Sequence, residues 1–417
     1  MSWQGIIGHD RVALMFSRAF FRGRLEGSFL FTGPAGVGKR AFAFTLAKTI
    51  LCKQTARLEG SGAEGLEKFV PCGECESCRL FDLRYQAVPE EIIRSRAQAQ
   101  KRDAGLAPAS SRRRKGEQTG SSDDVNQPAD DSAGYPNHPD LYYVSRPADK
   151  TQIPLELLTG SKEERMRSGL CYDLSRTPFL ENRKVAIIDD ADFLNEEGAN
   201  ALLKTLEEPP PRSVLVLIGT SASKQLPTIR SRCQSARFFP LSTPDLAQVL
   251  LKTGEVESLE AGLRLAKVSG GSVSSAREYS DPTLEPFRIE LLKELSKPFP
   301  DPVEFGAKLT AFIESEGKEP QVRRKRLGIA LLRAATFYRD LARLLSGDTS
   351  VLEGNHASGS YLKKASENRP DPMLATANAE RTLEAVTQID RMANLPYIID
   401  AWLGDLRNPV PRFKTDD

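Results

Sequence analysis

The run Gly33-Pro34-Ala35-Gly36-Val37-Gly38-Lys39 constrains this chain more than any other feature. The apolar Phe29-Leu30-Phe31 before it reads as a buried strand, and the Ala- and Leu-rich stretch after Lys39 reads as a helix. A glycine-rich loop between a strand and a helix aims backbone amides and a helix N-terminus at a phosphate, and the lysine adds charge. The expected fold is therefore α/β, with a parallel sheet carrying a phosphate-binding loop. The next residue departs from the pattern. Arg40 stands where such loops carry Ser or Thr, whose hydroxyl helps hold Mg²⁺ in NTP hydrolases. A guanidinium repels that ion, so the loop is expected to bind ATP, if it binds nucleotide at all, without efficient hydrolysis.

A second element of the same site lies downstream. Lys184-Val185-Ala186-Ile187-Ile188-Asp189-Asp190 is an apolar strand ending in two carboxylates. In active enzymes of this kind the first acid holds Mg²⁺ through water and the second, normally Glu, orients the attacking water. Asp190 is one methylene shorter than Glu, and catalysis falls steeply with misplacement. The segment from Asn195 to Glu208 places Ala199, Leu202, Leu203 and Leu206 at helical spacing, and Pro209-Pro210-Pro211 stops that helix. Another buried strand runs from Val214 to Ile218, and its end at Gly219-Thr220 is expected beside the phosphate site, at the carboxyl edge of the sheet. Gly33, Gly36, Gly38, Lys39, Asp189, Asp190 and Thr220 are thus the candidate nucleotide contacts.

Composition sets the outer bounds. With 417 residues, 40% hydrophobic and 27% charged, the chain has material for two or three cores. A net charge of +2 gives no global argument for nucleic acid binding. The start at Ser2-Trp3-Gln4-Gly5 lacks a basic segment and an apolar run, and no stretch approaches the roughly 20 apolar residues of a membrane span, so a cytoplasmic protein without membrane contact is expected. Residues 84 to about 135 are polar and poor in aromatics, with a basic run Arg112-Arg113-Arg114-Lys115 and acidic Asp123-Asp124, and are expected to form a disordered insertion. The basic run reads as a solvated charge cluster rather than a DNA contact.

Cys72, Cys75 and Cys78 form a tight Cys-x₂-Cys-x₂-Cys run, and Cys52, at the end of the helix after the phosphate loop, supplies a fourth thiolate if residues 53–71 loop out. Clustering of this kind in a cytosolic chain favours metal over disulfides. Four thiolates around one ion are typical of structural zinc, and zinc is the expected cofactor. An iron–sulfur cluster is the rival, though ferredoxins place their fourth cysteine where Asp82 stands here; unliganded thiols are the third reading. His138 is expected to be structural, opening a strand at Leu141 to Val144.

Four runs carry a family resemblance: Gly5-Ile6-Ile7-Gly8-His9, Asn200-Ala201-Leu202-Leu203-Lys204-Thr205-Leu206-Glu207-Glu208-Pro209-Pro210, Thr228-Ile229-Arg230-Ser231-Arg232-Cys233, and the cysteine cluster. On these the chain resembles the delta-prime family of bacterial DNA polymerase III clamp-loader subunits, AAA+ proteins related to the tau/gamma motors and to replication factor C. The resemblance spans roughly residues 3 to 280 apart from two insertions, and the first gap of the cysteine module, residues 53–71, is longer than the family's.

The resemblance implies an AAA+ phosphate-loop core over residues 1–240, including a zinc module at about 52–78 and the insertion at about 84–135. A small helical lid over 241–281 and an all-α collar over 282–417 would come after it. It also implies that Arg232 projects as a finger toward ATP held by a neighbouring subunit, within a heteropentamer of tau/gamma and delta subunits that loads a sliding clamp on primed DNA. The chain would then be part of a DNA-directed DNA polymerase, a nucleotidyltransferase complex, with its own ATPase absent or very weak. In the family's motors the lid carries a phosphate-sensing arginine two residues after a Gly-Ser pair; here Gly271-Ser272-Val273-Ser274 puts Ser274 there, with Arg277 almost a helical turn on. Arg40, Asp190 and Ser274 all depart toward lost hydrolysis. The competing reading is an active tau/gamma-type motor, favoured by the intact loop glycines and Lys39 and opposed by those departures and by the lack of tau's long C-terminal extension. An unrelated zinc enzyme would need an open coordination position, and none is visible.

Overall fold

In the computed structural model the described residues are 2–62, 65–82, 84–85, 135–136, 138–147, 150–163, 165, 167–180, 183–281, 283–298, 300–317, 319–352 and 356–407. The chain divides into two compact units, one of residues 1–33 with 39–238, the other of 34–38 with 239–417.

The first unit is built on a sheet whose strands we number β1 (Gly27–Thr32), β2 (Leu141–Val144), β3 (Lys184–Ile188), β4 (Ser213–Gly219) and β5 (Gln234–Arg237). All neighbours are parallel, in the order β2-β3-β4-β1-β5. Parallel strands covered on both faces read as continuous apolar runs, and Lys184–Ile188 and Ser213–Gly219 are buried at every position. One carboxyl edge therefore gathers the residues just after Thr32, Ile188 and Gly219, and this edge is where open α/β sheets bind ligands. A phosphate loop on a parallel sheet is the α/β AAA+ arrangement that the resemblance implies.

Among the helices of this unit, α1 spans Asp10–Phe21 and α2, Lys39–Leu51, begins directly at the phosphate loop. Phe42 fixes α2 by its ring, 5.2 to 6.1 Å from those of Trp3, Phe16, Phe31 and Phe238. Helix α3 is Glu76–Asp82. Helix α4, Glu196–Glu207, starts at an Asn195 cap whose side chain accepts the Gly198 N–H at 2.7 Å, and ends before the prolines. The short α5, Pro227–Arg230, precedes Arg232.

Arg84–Tyr85 pairs antiparallel with Tyr135–Pro136, so the two ends of the polar segment lie side by side. Residues 86–134, including the basic run at Arg112 to Lys115, lie outside the described residues, and with them the expectation of disorder. Among the described residues no helix is long and apolar enough to cross a membrane.

The second unit holds two separate cores. Helices α6 (Thr243–Lys252), α7 (Leu259–Val268) and α8 (Val273–Ser280) bury Leu246, Ala247, Leu250, Ala266 and Ala276. The helices from Glu285 to Arg407 enclose a larger core around Leu331, Tyr338 and Trp402. The loop residues 34–38 cluster with this unit rather than with the sheet that precedes them. Ser272 Oγ donates to the Ala35 carbonyl at 3.0 Å and Val273 N–H to the Gly36 carbonyl at 2.9 Å.

Candidate functional site

The phosphate loop leaves β1 at Gly33, whose N–H donates to the Thr220 carbonyl at 3.2 Å. A Cβ at Gly33 would stand 2.3 Å from the Phe238 carbonyl oxygen, so no larger residue fits. At Gly36, φ is +74° and a Cβ would meet the Ser272 and Ser274 hydroxyls at 2.3 and 2.6 Å. Ser274 thus lies against the loop backbone. Arg277 turns to Glu255 instead, with Nε 2.8 Å from Oε1. Lys39 is 7% exposed and donates from Nζ to the Gly33 carbonyl at 2.5 Å; burial pushes its pKa down, against the pull of Asp189 and Asp192.

At the end of β3 the acids are already engaged. Arg40 forms an ion pair through Nε with Asp189 Oδ2, which also accepts the Tyr143 hydroxyl at 3.0 Å. Oδ1 of Asp189 accepts the Asp190 N–H at 3.0 Å. The Asp189 side chain is 7% exposed, so these contacts satisfy a carboxylate with little access to water. Asp190 lies just past the end of the strand. Its backbone is left-handed, φ 56° and ψ 37°, a conformation that Asp tolerates better than most residues. Burial, with Asp189 adding to it, raises its pKa to about 6.

Thr220 sits at the end of β4 as expected, but its N–H and Oγ1 donate to Asp192 Oδ2 at 2.8 and 2.6 Å. Gln225 Nε2 donates to the other Asp192 oxygen. Sequence reasoning missed Asp192, Gln225 and Tyr143. The repeated acid in Asp189-Asp190-Ala191-Asp192 was the one visible signal.

Arg232 lies just beyond α5, its side chain 27% exposed. Nε and Nη2 reach Glu207 Oε1 at 2.6 and 2.5 Å, and Nη1 donates to the Thr228 carbonyl at 2.9 Å. All three guanidinium nitrogens are thus engaged by the subunit's own chain, while Arg230 is exposed.

The cysteines converge. The sulfurs of Cys52, Cys72, Cys75 and Cys78 all lie within 4.8 Å of one another, with Cys52 to Cys75 at 3.9 Å and Cys72 to Cys78 at 4.0 Å. Metal–sulfur bonds of about 2.3 Å in a tetrahedron place sulfurs about 3.8 Å apart, so this group could hold a metal ion such as zinc. Backbone N–H groups of Cys72 and Cys75 donate to Cys52 and Cys72 sulfurs at 3.3 and 3.4 Å. Burial pushes the Cys52 thiol up, but donors from Cys72 and Thr55 outweigh it and hold the pKa at about 6. The long gap after Cys52 is taken up by a helical turn at Lys53–Ala56 and by a return in which Thr55 Oγ1 donates to the Val70 carbonyl at 2.7 Å. His138 stands apart, 2.9 Å from Ser77 Oγ and accepting the Asp140 N–H.

The sequence profile of the family described as "DNA polymerase III, delta subunit" matches residues 8–242, more than half of the chain. The DNA polymerase III subunit delta' of Pseudomonas aeruginosa is 28% identical over 284 residues, covering 68% of this chain and 64% of that protein. That of Bacillus subtilis is 28% identical over 242 residues, covering 58% and 51%. The gamma/tau subunit of Mycobacterium tuberculosis is 27% identical over 258 residues, covering 62% and 32%. The chain therefore spans less than two thirds of the length of these relatives.

Proposed function

The chain belongs to the DNA polymerase III delta-subunit family, on its delta-prime side, and on that basis we propose that it is the non-hydrolysing stator of a clamp-loader ring. The observation that carries this reading is the Arg40–Asp189 ion pair. A hydrolase needs a divalent ion between the loop and this acid, and here a fixed cation holds the acid's oxygen. Asp190, one methylene short of Glu and on a left-handed backbone, and Ser274, without charge, weaken the water-orienting and phosphate-sensing groups as well.

In this reading the chain's chemical contribution is made next door. Arg232 leaves Glu207 for the ATP of an adjacent tau/gamma subunit, where a guanidinium offsets transition-state charge. The helices of 241–281 act as a lid and those of 282–417 as the collar joining tau/gamma and delta subunits, in a cytoplasmic assembly that opens a sliding clamp and places it on primed DNA. Zinc at Cys52, Cys72, Cys75 and Cys78 is structural, since four thiolates leave no position for a reacting water. The loop keeps the glycines and Lys39 and so retains the capacity to bind ATP.

The test is steady-state phosphate release by the purified protein alone. Negligible turnover is expected, and a rate near the low end of ordinary enzymes, about 1 s⁻¹, overturns the stator reading in favour of a tau/gamma-type motor.

A further inference from the structure

Beside the cysteines runs a chain of buried hydrogen bonds that involves none of their sulfurs. Ser77, in α3, precedes Cys78, and Leu51, the last residue of α2, precedes Cys52. The Ser77 hydroxyl donates to the Leu51 carbonyl at 2.6 Å, so one bond joins the residues in front of two of the four sulfurs. The same oxygen lies 2.9 Å from His138 Nε2. His138 Nδ1 accepts the Asp140 N–H at 3.1 Å, and a backbone amide can only donate. In the neutral ring the proton is therefore on Nε2, and Ser77 Oγ accepts it while giving its own to Leu51. Ser77, His138 and Asp140 are each 1% exposed, so a partner lost here is not replaced by bulk water. The chain ends on the sheet, where the Asp140 carbonyl accepts the Val185 N–H at 2.9 Å and fixes the foot of β2 to β3.

We propose that Ser77 and His138 are positioning residues for the metal at Cys52, Cys72, Cys75 and Cys78. The histidine, in one tautomer, holds the Ser77 hydroxyl on Leu51 and thereby fixes the backbone that carries Cys52 and Cys78. This rests on the zinc reading above. Neither residue is a ligand. The tie acts on the two buried sulfurs, whereas Cys72 and Cys75 are half-buried. Groups that orient ligands from outside set how tightly a metal is held, and their loss typically weakens it by about 10- to 100-fold. Ser77 and His138 are 61 residues apart, so the spacing of the cysteines carries no trace of the tie.

The experiment is removal of zinc from the full-length protein by graded EDTA, read by elemental analysis after desalting, with a melting curve for each variant. Asn offers an acceptor where Nδ1 stands, and Gln a donor where Nε2 stands. Ser77→Ala and His138→Asn should lose half their zinc at an EDTA concentration about tenfold lower or less, while His138→Gln, which keeps the donor to Ser77, should stay closer to the wild type. Ser28→Ala removes a buried hydroxyl bond to the Leu206 carbonyl in the same unit and should hold zinc as the wild type does. If His138→Asn fails to fold, Ser77→Ala, which keeps the ring, decides. Wild-type retention by Ser77→Ala or by a folded His138→Asn overturns the inference. An equal loss from Ser28→Ala overturns it too, because the tie then counts only through overall stability. Wild-type protein that carries no zinc overturns the zinc reading and the inference with it, and elemental analysis tells that failure from the others.

Discussion

The two ends of helix α2 carry opposite kinds of site. At its N-terminus Lys39 and Arg40 face carboxylates that are already paired, and every group a divalent ion would need has another partner. Past its C-terminus Cys52 meets three other sulfurs at distances suited to a single ion, in a group whose donors converge on one another. One helix thus joins a site that has been filled in from within to one built to be filled from outside. The contrast locates where substitution should hurt: metal removal should cost much at the cysteine end and little at the loop end.

The largest effect is therefore predicted at the cysteines. Cys75→Ser should abolish stoichiometric zinc by elemental analysis and lower the melting temperature markedly, because structural zinc contributes apparent binding energies on the order of 10 kcal/mol or more to small modules. Part of that will be lost to relaxation in a larger domain. The damage should spread to α2, since Phe69 of the same module stacks on Trp3 at 5.6 Å, which in turn contacts Phe42. Iron in place of zinc, or an unchanged melting curve, would undo the contrast at its stronger end.

Next in size is Arg232→Ala. Within the subunit it removes a partly exposed ion pair to Glu207, worth about 0–1 kcal/mol, so folding and ring assembly should survive. In a reconstituted loader, DNA- and clamp-stimulated hydrolysis by the neighbour should fall by roughly 10³-fold or more, the scale of trans-acting arginines elsewhere. Arg230→Ala should do much less, and Arg232→Lys should rescue poorly because a point charge lacks the planar fork. Wild-type ATPase from an intact ring carrying the Arg232→Ala subunit would remove Arg232 from any role in trans.

What the sequence disclosed at each site depends on how local the determinants are. The strands were readable because parallel strands buried on both faces must be apolar throughout, as Lys184–Ile188 and Ser213–Gly219 are apart from their end residues. Cys72, Cys75 and Cys78 announce themselves by spacing, and Cys52 by its place at a helix end. The departure at Arg40 was equally plain, but its pairing with Asp189, 149 residues away, exists only once the sheet aligns β1 with β3 across β4. The engagement of Thr220 by Asp192 and the left-handed turn at Asp190 leave no sequence pattern beyond one more acid. Nor do the hydrogen bonds from Ser272 and Val273 to the Ala35 and Gly36 carbonyls, backbone acceptors that carry no side-chain signature.

The smallest predicted effect tests the dismantled end through pH. Asp190 has its pKa raised from the usual 3.8 to about 6, first by burial and then by Asp189. A carboxyl whose pKa is higher folded than unfolded binds its proton more tightly in the folded state. It therefore favours folding below about pH 4, and that contribution is lost as pH climbs through about 6. Asp190→Asn carries no ionisation cost and, like Asp, tolerates the left-handed backbone. The variant should match the wild type near pH 4 and be more stable by roughly 1–3 kcal/mol at pH 8, read from denaturant midpoints at the two pH values. A stability difference that is the same at both would mean that Asp190 ionises as an ordinary surface acid. The acid would then stand in water rather than in a closed-off site, and the contrast between the two ends of α2 would narrow to Arg40 alone.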